Sequence, residues 1–185
     1  MEVGIFDLET SGFYADNAII LCCSSKAYKH RKITTIRADA YKTWKDNKTD
    51  ERLVIEAIAA ELDKYDILIA HNGQWFDKGF FNAKCIEYGI KPILRWKKLI
   101  DPVLIARRHM RLGRNSLAAI IDYLQVPTHK TPIELNEWRK ASHNSDKKSM
   151  EVIVEHCEKD ILALEEVYKK MRLLVDRIDN NGSSY

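Results

Sequence analysis

The strongest constraint on the fold is how little sequence separates the first three strand-like segments. Residues 3–9, 18–28 and 32–38 are dominated by β-branched and other apolar side chains. Only residues 10–17 and the basic segment Lys29-His30-Arg31 stand between them. Parallel neighbours need a crossover of about a dozen residues or more, whereas antiparallel neighbours need only a short turn. The three segments therefore predict an antiparallel meander, with Gly12 placed to turn the chain after the first strand.

Downstream the periodicity changes. Asp50 is positioned to cap a helix reaching about residue 65, with Leu53, Val54, Ile58 and Leu62 on one side. Residues 66–71 read as a short apolar strand, and residues 75–88 as a helix stopped by Gly89. Residues 94–100 are ambiguous, with a short strand as one reading. Asp101-Pro102 then opens a helix, and Asn115 or Ser116 caps another that runs through residue 124. Residues 127–148 turn polar and irregular, which predicts a surface loop over the site. Residues 149–178 predict a long amphipathic helix, and residues 179–185 a frayed tail. A meander followed by helix, strand and helix predicts an α/β fold. Its mixed central sheet has three antiparallel strands and at least one parallel strand, flanked by helices.

A chain of 185 residues, 45% hydrophobic and 31% charged, can bury a core within one domain, expected over residues 1–178. The four cysteines, Cys22, Cys23, Cys85 and Cys157, form no CxxC pair, and a structural zinc site is not expected. Free buried thiols in a reducing compartment are the expectation. The opening residues lack the basic and apolar regions of a signal peptide, and no apolar run approaches the ~20 residues of a bilayer span. A cytoplasmic protein, cellular or virus-encoded, with no membrane partner is expected. A net charge of +3 permits a polyanionic partner without requiring one.

Three acidic groups carry the chemistry. Side chains alternate across a strand, so Asp7 and Glu9 share a face with Val3 and Ile5. Two adjacent carboxylates repel, and each holds its proton more tightly unless a cation neutralises them. In the last helix, Ile153, Cys157, Asp160, Leu164, Val167 and Met171 recur at helical spacing, which puts Asp160 within the apolar stripe. A carboxylate there needs a partner, either a buried cationic side chain or a metal ion shared with Asp7 and Glu9. His156 lies one turn earlier and projects toward the same region. Asp77 falls in the first turn of its helix, after the turn His71-Asn72-Gly73, where the helix dipole favours an anion. All-oxygen ligation suits Mg²⁺ or Mn²⁺.

Together these segments resemble the DEDD, or DnaQ-like, 3′–5′ exonuclease superfamily. Phe6-Asp7-Leu8-Glu9-Thr10-Ser11-Gly12 is similar to its first motif, His71-Asn72-Gly73 through Phe76-Asp77 to its second, and His156-Cys157-Glu158-Lys159-Asp160 to its third. The resemblance implies a ribonuclease H-like fold and two Mg²⁺ or Mn²⁺ ions about 4 Å apart. Asp7 would bridge both ions, Glu9 and Asp160 would complete one site, and Asp77 would support the other. The implied reaction hydrolyses the terminal phosphodiester at the 3′ end of a single-stranded nucleic acid, DNA favoured and RNA possible, and releases nucleoside monophosphates. A polymerase or another replication or repair protein is an implied partner. The alternative is a non-catalytic single-strand-binding module on the same fold.

One departure concerns the general base. The superfamily carries Tyr four residues before the last Asp, or His five before it; here His156 occupies the Tyr spacing and Glu155 the other. His156 is the candidate base, or else it only orients the water or packs on Asp160. On the substrate side, Thr10 and Asn72 match positions that contact the terminal nucleotide. Phe76 and Trp75 are candidates to stack on a base. Lys130 lies in the interval where some relatives place a lysine that acts in the transition state. Asp101 reads as a capping or supporting residue. Arg107, Arg108, Arg111 and Arg114 form a basic cluster that is either a solvated face or a phosphate contact.

Overall fold

The structure is a computed structural model that describes residues 1–128 and 133–175. Five strands form one mixed sheet: β1 (Val3–Thr10), β2 (Ile20–Ala27), β3 (Thr34–Arg37), β4 (Ile67–Ile69) and β5 (Lys98–Ile100), in the spatial order β3-β2-β1-β4-β5. β1 to β3 are the expected antiparallel meander, while β4 pairs parallel with β1 and β5 pairs parallel with β4. The ambiguous stretch before Asp101 thus resolves into a 3-10 turn, Ile93–Arg95, and the edge strand β5.

Helices cover both faces, because alternation along β1 leaves both faces apolar. On one side Phe6, Leu8 and Leu68 pack with Val54, Ile55, Ile58 and Leu62 of α2 (Arg52–Leu62). Phe80, Phe81 and Cys85 of α3 (Asp77–Glu87) complete that layer. A single turn, α1 (Thr43–Asp46), adds the buried Trp44. On the other side Ile5, Ile67, Ile69 and Ile100 meet Ala106 of α4 (Pro102–His109) and Leu117, Ile120 and Ile121 of α5 (Leu117–Leu124). Ile161, Leu164, Val167 and Met171 of α7 (Lys147–Met171) close the same layer. Between α5 and α7 lies α6 (Leu135–Asn144), packed against α7. Lys26 of β2 and Glu165 of α7 form an ion pair buried beneath this layer. No described helix is long and apolar enough to cross a membrane.

Several boundaries differ from the sequence expectation. Residues 127–148 are not a loop throughout, because α6 occupies much of them. Trp138, Ala141 and Ser142 stand at i, i+3 and i+4, and Ala141 and Ser142 are buried. The polar residues of α6 make contacts too: Glu137 accepts from Ser149 Oγ at 2.6 Å and pairs with Lys140 at 2.9 Å. The last helix ends at Met171 rather than residue 178, giving way to the 3-10 turn Arg172–Leu174. The expected tail lies outside the described residues. Asp50 lies one residue before the N-cap of α2, its carboxylate accepting from the Arg52 N–H at 3.4 Å. Glu51 is the N-cap residue, and its carboxylate instead accepts from the Ile20 backbone at 2.6 Å and pairs with Lys84 at 2.6 Å. Leu53 is exposed, and Ile55 takes the place expected for it in the core. The helix expected from Trp75 begins at Asp77.

Candidate active site

β1 delivers the first two carboxylates. Asp7 lies opposite Ser24 of β2, and Glu9 lies opposite Cys22. The register slips between Glu9 and Thr10, so Leu21 is left over on β2. This bulge ends regular pairing at the acidic end of the strand and re-aims the chain beyond it, a common arrangement beside functional sites. Because Asp7 and Glu9 share the face of Ile5, they look toward α7. The Cys157 thiol, fully buried on α7, lies against the Asp7 carbonyl at 3.5 Å. One helical turn along from His156 is Asp160. His156 Nε2 stands 3.6 Å from Asp160 Oδ2 and 4.0 Å from Glu9 Oε1, so the imidazole sits between the two acids.

The fourth carboxylate arrives from the other face of the sheet. The chain leaves β4 through His71-Asn72-Gly73. Asn72 adopts a left-handed conformation (φ 60°), as asparagine tolerates. A Cβ at Gly73 would stand 2.4 Å from the Ala70 Cβ, so only glycine fits this close turn. The turn is pinned by Asp101, whose carboxylate accepts from the Asn72 N–H at 2.9 Å and from the Gln74 N–H at 3.1 Å. Asp101 also caps α4 through the Val103 N–H at 2.9 Å. The capping and supporting expectation for Asp101 therefore holds. Asp77 then opens α3 with its carboxylate buried against the backbone of Leu8, between the two β1 acids in sequence.

Asp7, Asp160 and Asp77 each act on the charge of Glu9. Burial, then the charges of Asp7 and Asp160, push the Glu9 carboxyl from its ordinary 4.5 up to about 9, and Asp77 adds to the effect. A hydrogen bond from Trp138 partly offsets this. Burial and the charge of Asp7 likewise raise Asp77 well above the usual carboxylate range. Its Oδ1 is buried without a hydrogen-bond partner among the described residues. Ligand atoms of Asp7, Glu9 and Cys157 lie within 4.8 Å of one another. Burial raises the Cys157 thiol well above its ordinary value, so it stays protonated and the carboxylates are the available ligands. Mutually repelling, half-buried oxygens with an unsatisfied acceptor fit a hard divalent cation.

The family model of the RNase H superfamily matches residues 5–172. The chain belongs to the RNase H superfamily. Its fold agrees with that assignment. A family B DNA polymerase from the hyperthermophilic archaeon Pyrobaculum calidifontis is similar in structure with a TM-score of 0.74 and 13% identity. The similarity covers 93% of this chain and 24% of the polymerase, so the chain spans about a quarter of that protein's length. No curated protein matches the sequence. Nucleases built on the RNase H fold generally use divalent metal ions, and the carboxylates of Asp7 and Glu9 form a cluster that could hold one.

The remaining predicted site residues of this RNase H superfamily chain divide in three. Trp75 is exposed (71%) and Asn72 is exposed beside it. Phe76 is half-buried, edge-on to the exposed Phe13 at 6.5 Å and packed on Phe80 at 5.7 Å, so it serves the core as much as the surface. Thr10 is buried, with its hydroxyl donating to the Gly12 carbonyl at 2.6 Å. Lys130 lies outside the described residues.

Two side chains that sequence reasoning missed adjoin the acids. Trp138 of α6 hydrogen-bonds to the Glu9 carboxylate, and its ring is edge-on to His156 at 6.1 Å. The i, i+3, i+4 spacing of Trp138, Ala141 and Ser142 was the available signal. Cys157 is the other, and nothing in its spacing distinguishes it from a core thiol.

Proposed function

We propose that this protein is a 3′–5′ exonuclease that hydrolyses the terminal phosphodiester of a single-stranded nucleic acid, DNA in preference to RNA, and releases nucleoside monophosphates. The observation that carries the proposal is the convergence of Asp7, Glu9, Asp77 and Asp160, with Asp7, Asp160 and Asp77 all raising the proton affinity of Glu9 and Asp77 Oδ1 buried without a hydrogen-bond partner among the described residues. Held by these four residues, two Mg²⁺ or Mn²⁺ ions would supply Lewis acidity at the scissile phosphate. Asp7 would contribute to both ions, Glu9 and Asp160 would complete the site on the His156 side, and Asp77 would support the other.

The chain's own groups do the rest. His156 accepts the proton of the attacking water at its imidazole. Asp160, 3.6 Å from Nε2, stabilises the imidazolium that results. Trp138, with its N–H on Glu9, holds that carboxylate in place and shields the base from bulk water. Exposed Trp75, and Phe13 with the edge of Phe76, offer flat apolar surface to an unpaired terminal base, and the exposed Asn72 amide offers hydrogen bonds.

The test is digestion of matched single-stranded and duplex DNA and RNA carrying a 5′ label, with Mg²⁺, Mn²⁺ or EDTA. Stepwise shortening from the 3′ end that needs the metal is expected. Asp7→Ala should abolish it while circular dichroism stays unchanged. Undiminished hydrolysis by Asp7→Ala would overturn the assignment.

A further inference from the structure

One strongly charged feature is not used by the chemistry above. Four of the chain's eleven arginines fall within eight residues, as Arg107, Arg108, Arg111 and Arg114, and no aspartate or glutamate occurs between residues 102 and 121. All four are exposed. Several other surface cations are paired: Arg37 with Asp39 and Glu151, Lys97 with Asp63, Lys140 with Glu137, Lys159 with Glu155. Among the described residues no ion pair holds Arg107, Arg111 or Arg114.

The cluster is also placed and braced. α4 starts at Asp101, the residue that pins the Asn72–Gln74 turn at the rim of the site. Burial raises the proton affinity of the Asp101 carboxyl, and the backbone hydrogen bonds from Gln74, Val103 and Asn72, with the nearby charge of Arg107, partly oppose this. At ~1.5 Å per residue the cluster therefore begins about 9 Å from that rim. Beneath it, Val103 and Ala106 of α4 are buried, as are Leu117, Ile120 and Ile121 of α5. Arg111 takes a left-handed conformation (φ 51°) just past the end of α4, its N–H donating to the Ala106 carbonyl at 3.2 Å. Guanidinium groups on a rigid base, rather than lysines, suit bidentate contact with phosphate oxygens.

We infer that Arg107, Arg108, Arg111 and Arg114 form an exosite for the phosphodiester backbone of the substrate strand, 5′ of the nucleotide being removed. This rests on the nuclease reading for the identity of the ligand. The exosite confers a preference for strands long enough to reach it and contributes salt-sensitive binding.

The experiment measures binding of fluorescein-labelled single-stranded DNA by anisotropy over a range of KCl concentrations. EDTA is present throughout, so no hydrolysis occurs. Each phosphate neutralised on a single strand contributes about −0.7 to the slope of log K against log salt. The Arg107→Gln/Arg111→Gln/Arg114→Gln variant should have a slope shallower by about 2 on an oligonucleotide of about 20 nucleotides. Its affinity at low salt should fall at least ~10-fold. An oligonucleotide of about 3 nucleotides, which cannot reach from the acids to the arginines, should bind both proteins alike. Should the triple variant misfold, the single variants Arg107→Gln and Arg114→Gln should each change the slope by about 0.7. An unchanged slope overturns the inference. So does a triple variant that keeps its affinity for DNA but loses binding to phosphatidylserine vesicles or polyglutamate. Hydrolysis in Mn²⁺ is scored separately. A protein that binds with the expected slopes yet never hydrolyses sinks the exonuclease reading alone, and one that hydrolyses with unaltered slopes sinks only the exosite.

Discussion

Replacing Glu9 by glutamine should stabilise the metal-free protein at neutral and alkaline pH. Glu9 titrates near 9 in the folded chain and near 4.5 when unfolded. Between those values the folded state binds more protons than the unfolded one, so stability is greatest below about pH 4.5 and declines as pH rises toward 9. At pH 7 the decline due to this one group amounts to about 3 kcal/mol. Glutamine has the same shape, stays neutral throughout, and its amide oxygen can still accept from Trp138. Glu9→Gln should therefore gain about 1–3 kcal/mol at pH 7–8 in EDTA, with the smaller figure allowing for relaxation and water entry. For a domain of this size that corresponds to a Tm higher by about 2–4 °C per kcal/mol. At pH 5 the gain should vanish. Adding Mn²⁺ should reverse the order, because the ion stabilises the wild type by about 2.7 kcal/mol at one hundred times its Kd and the variant by less. Thermal unfolding at pH 5 and pH 8, with and without Mn²⁺, tests all three points. A Glu9→Gln protein less stable than wild type at pH 8 in EDTA, or a difference independent of pH, would refute the reasoning.

Three other substitutions test separate parts of the site. His156→Ala should slow turnover by about 10²–10⁴ under saturating substrate, and a loss below tenfold would assign His156 to packing alone. Trp138→Phe keeps an aromatic ring near His156 but removes the N–H on Glu9. Calorimetric titration with Mn²⁺ should show affinity weakened about fivefold, in line with one lost hydrogen bond of ~1 kcal/mol, and unchanged affinity would show that the bond does not matter. Gly73→Ala forces a Cβ to within 2.4 Å of the Ala70 Cβ and should cost about 1–3 kcal/mol in denaturant unfolding. A neutral result would mean that the turn is looser than its geometry implies.

Local rules make much of this protein readable from its residues alone. Alternation along residues 3–9 and the brevity of residues 29–31 required the meander, and helical spacing put Asp160 on the inward stripe of α7. Boundaries were less legible. Trp75 and Phe76 have helical spacing with α3 but belong to the turn, because Asp101, 26 residues beyond Trp75, holds that backbone through Asn72 and Gln74. α6 was hidden by its polar composition. Its helical character comes from contacts with α7, such as Glu137 with Ser149, which sequence spacing does not reveal.

What the sequence determined by itself was the residue types and their order: three acidic segments, a strand meander, and a basic run after Asp101. What only the tertiary structure decided was their meeting. Asp77 lies on the opposite face of the sheet from α7 and reaches Asp7 only because β4 pairs beside β1 and the Asn72-Gly73 turn is tight. The charge state of Glu9 likewise follows from burial among Asp7, Asp160 and Asp77. Pairing and burial are long-range and cooperative, and they depend on distances that no local periodicity encodes.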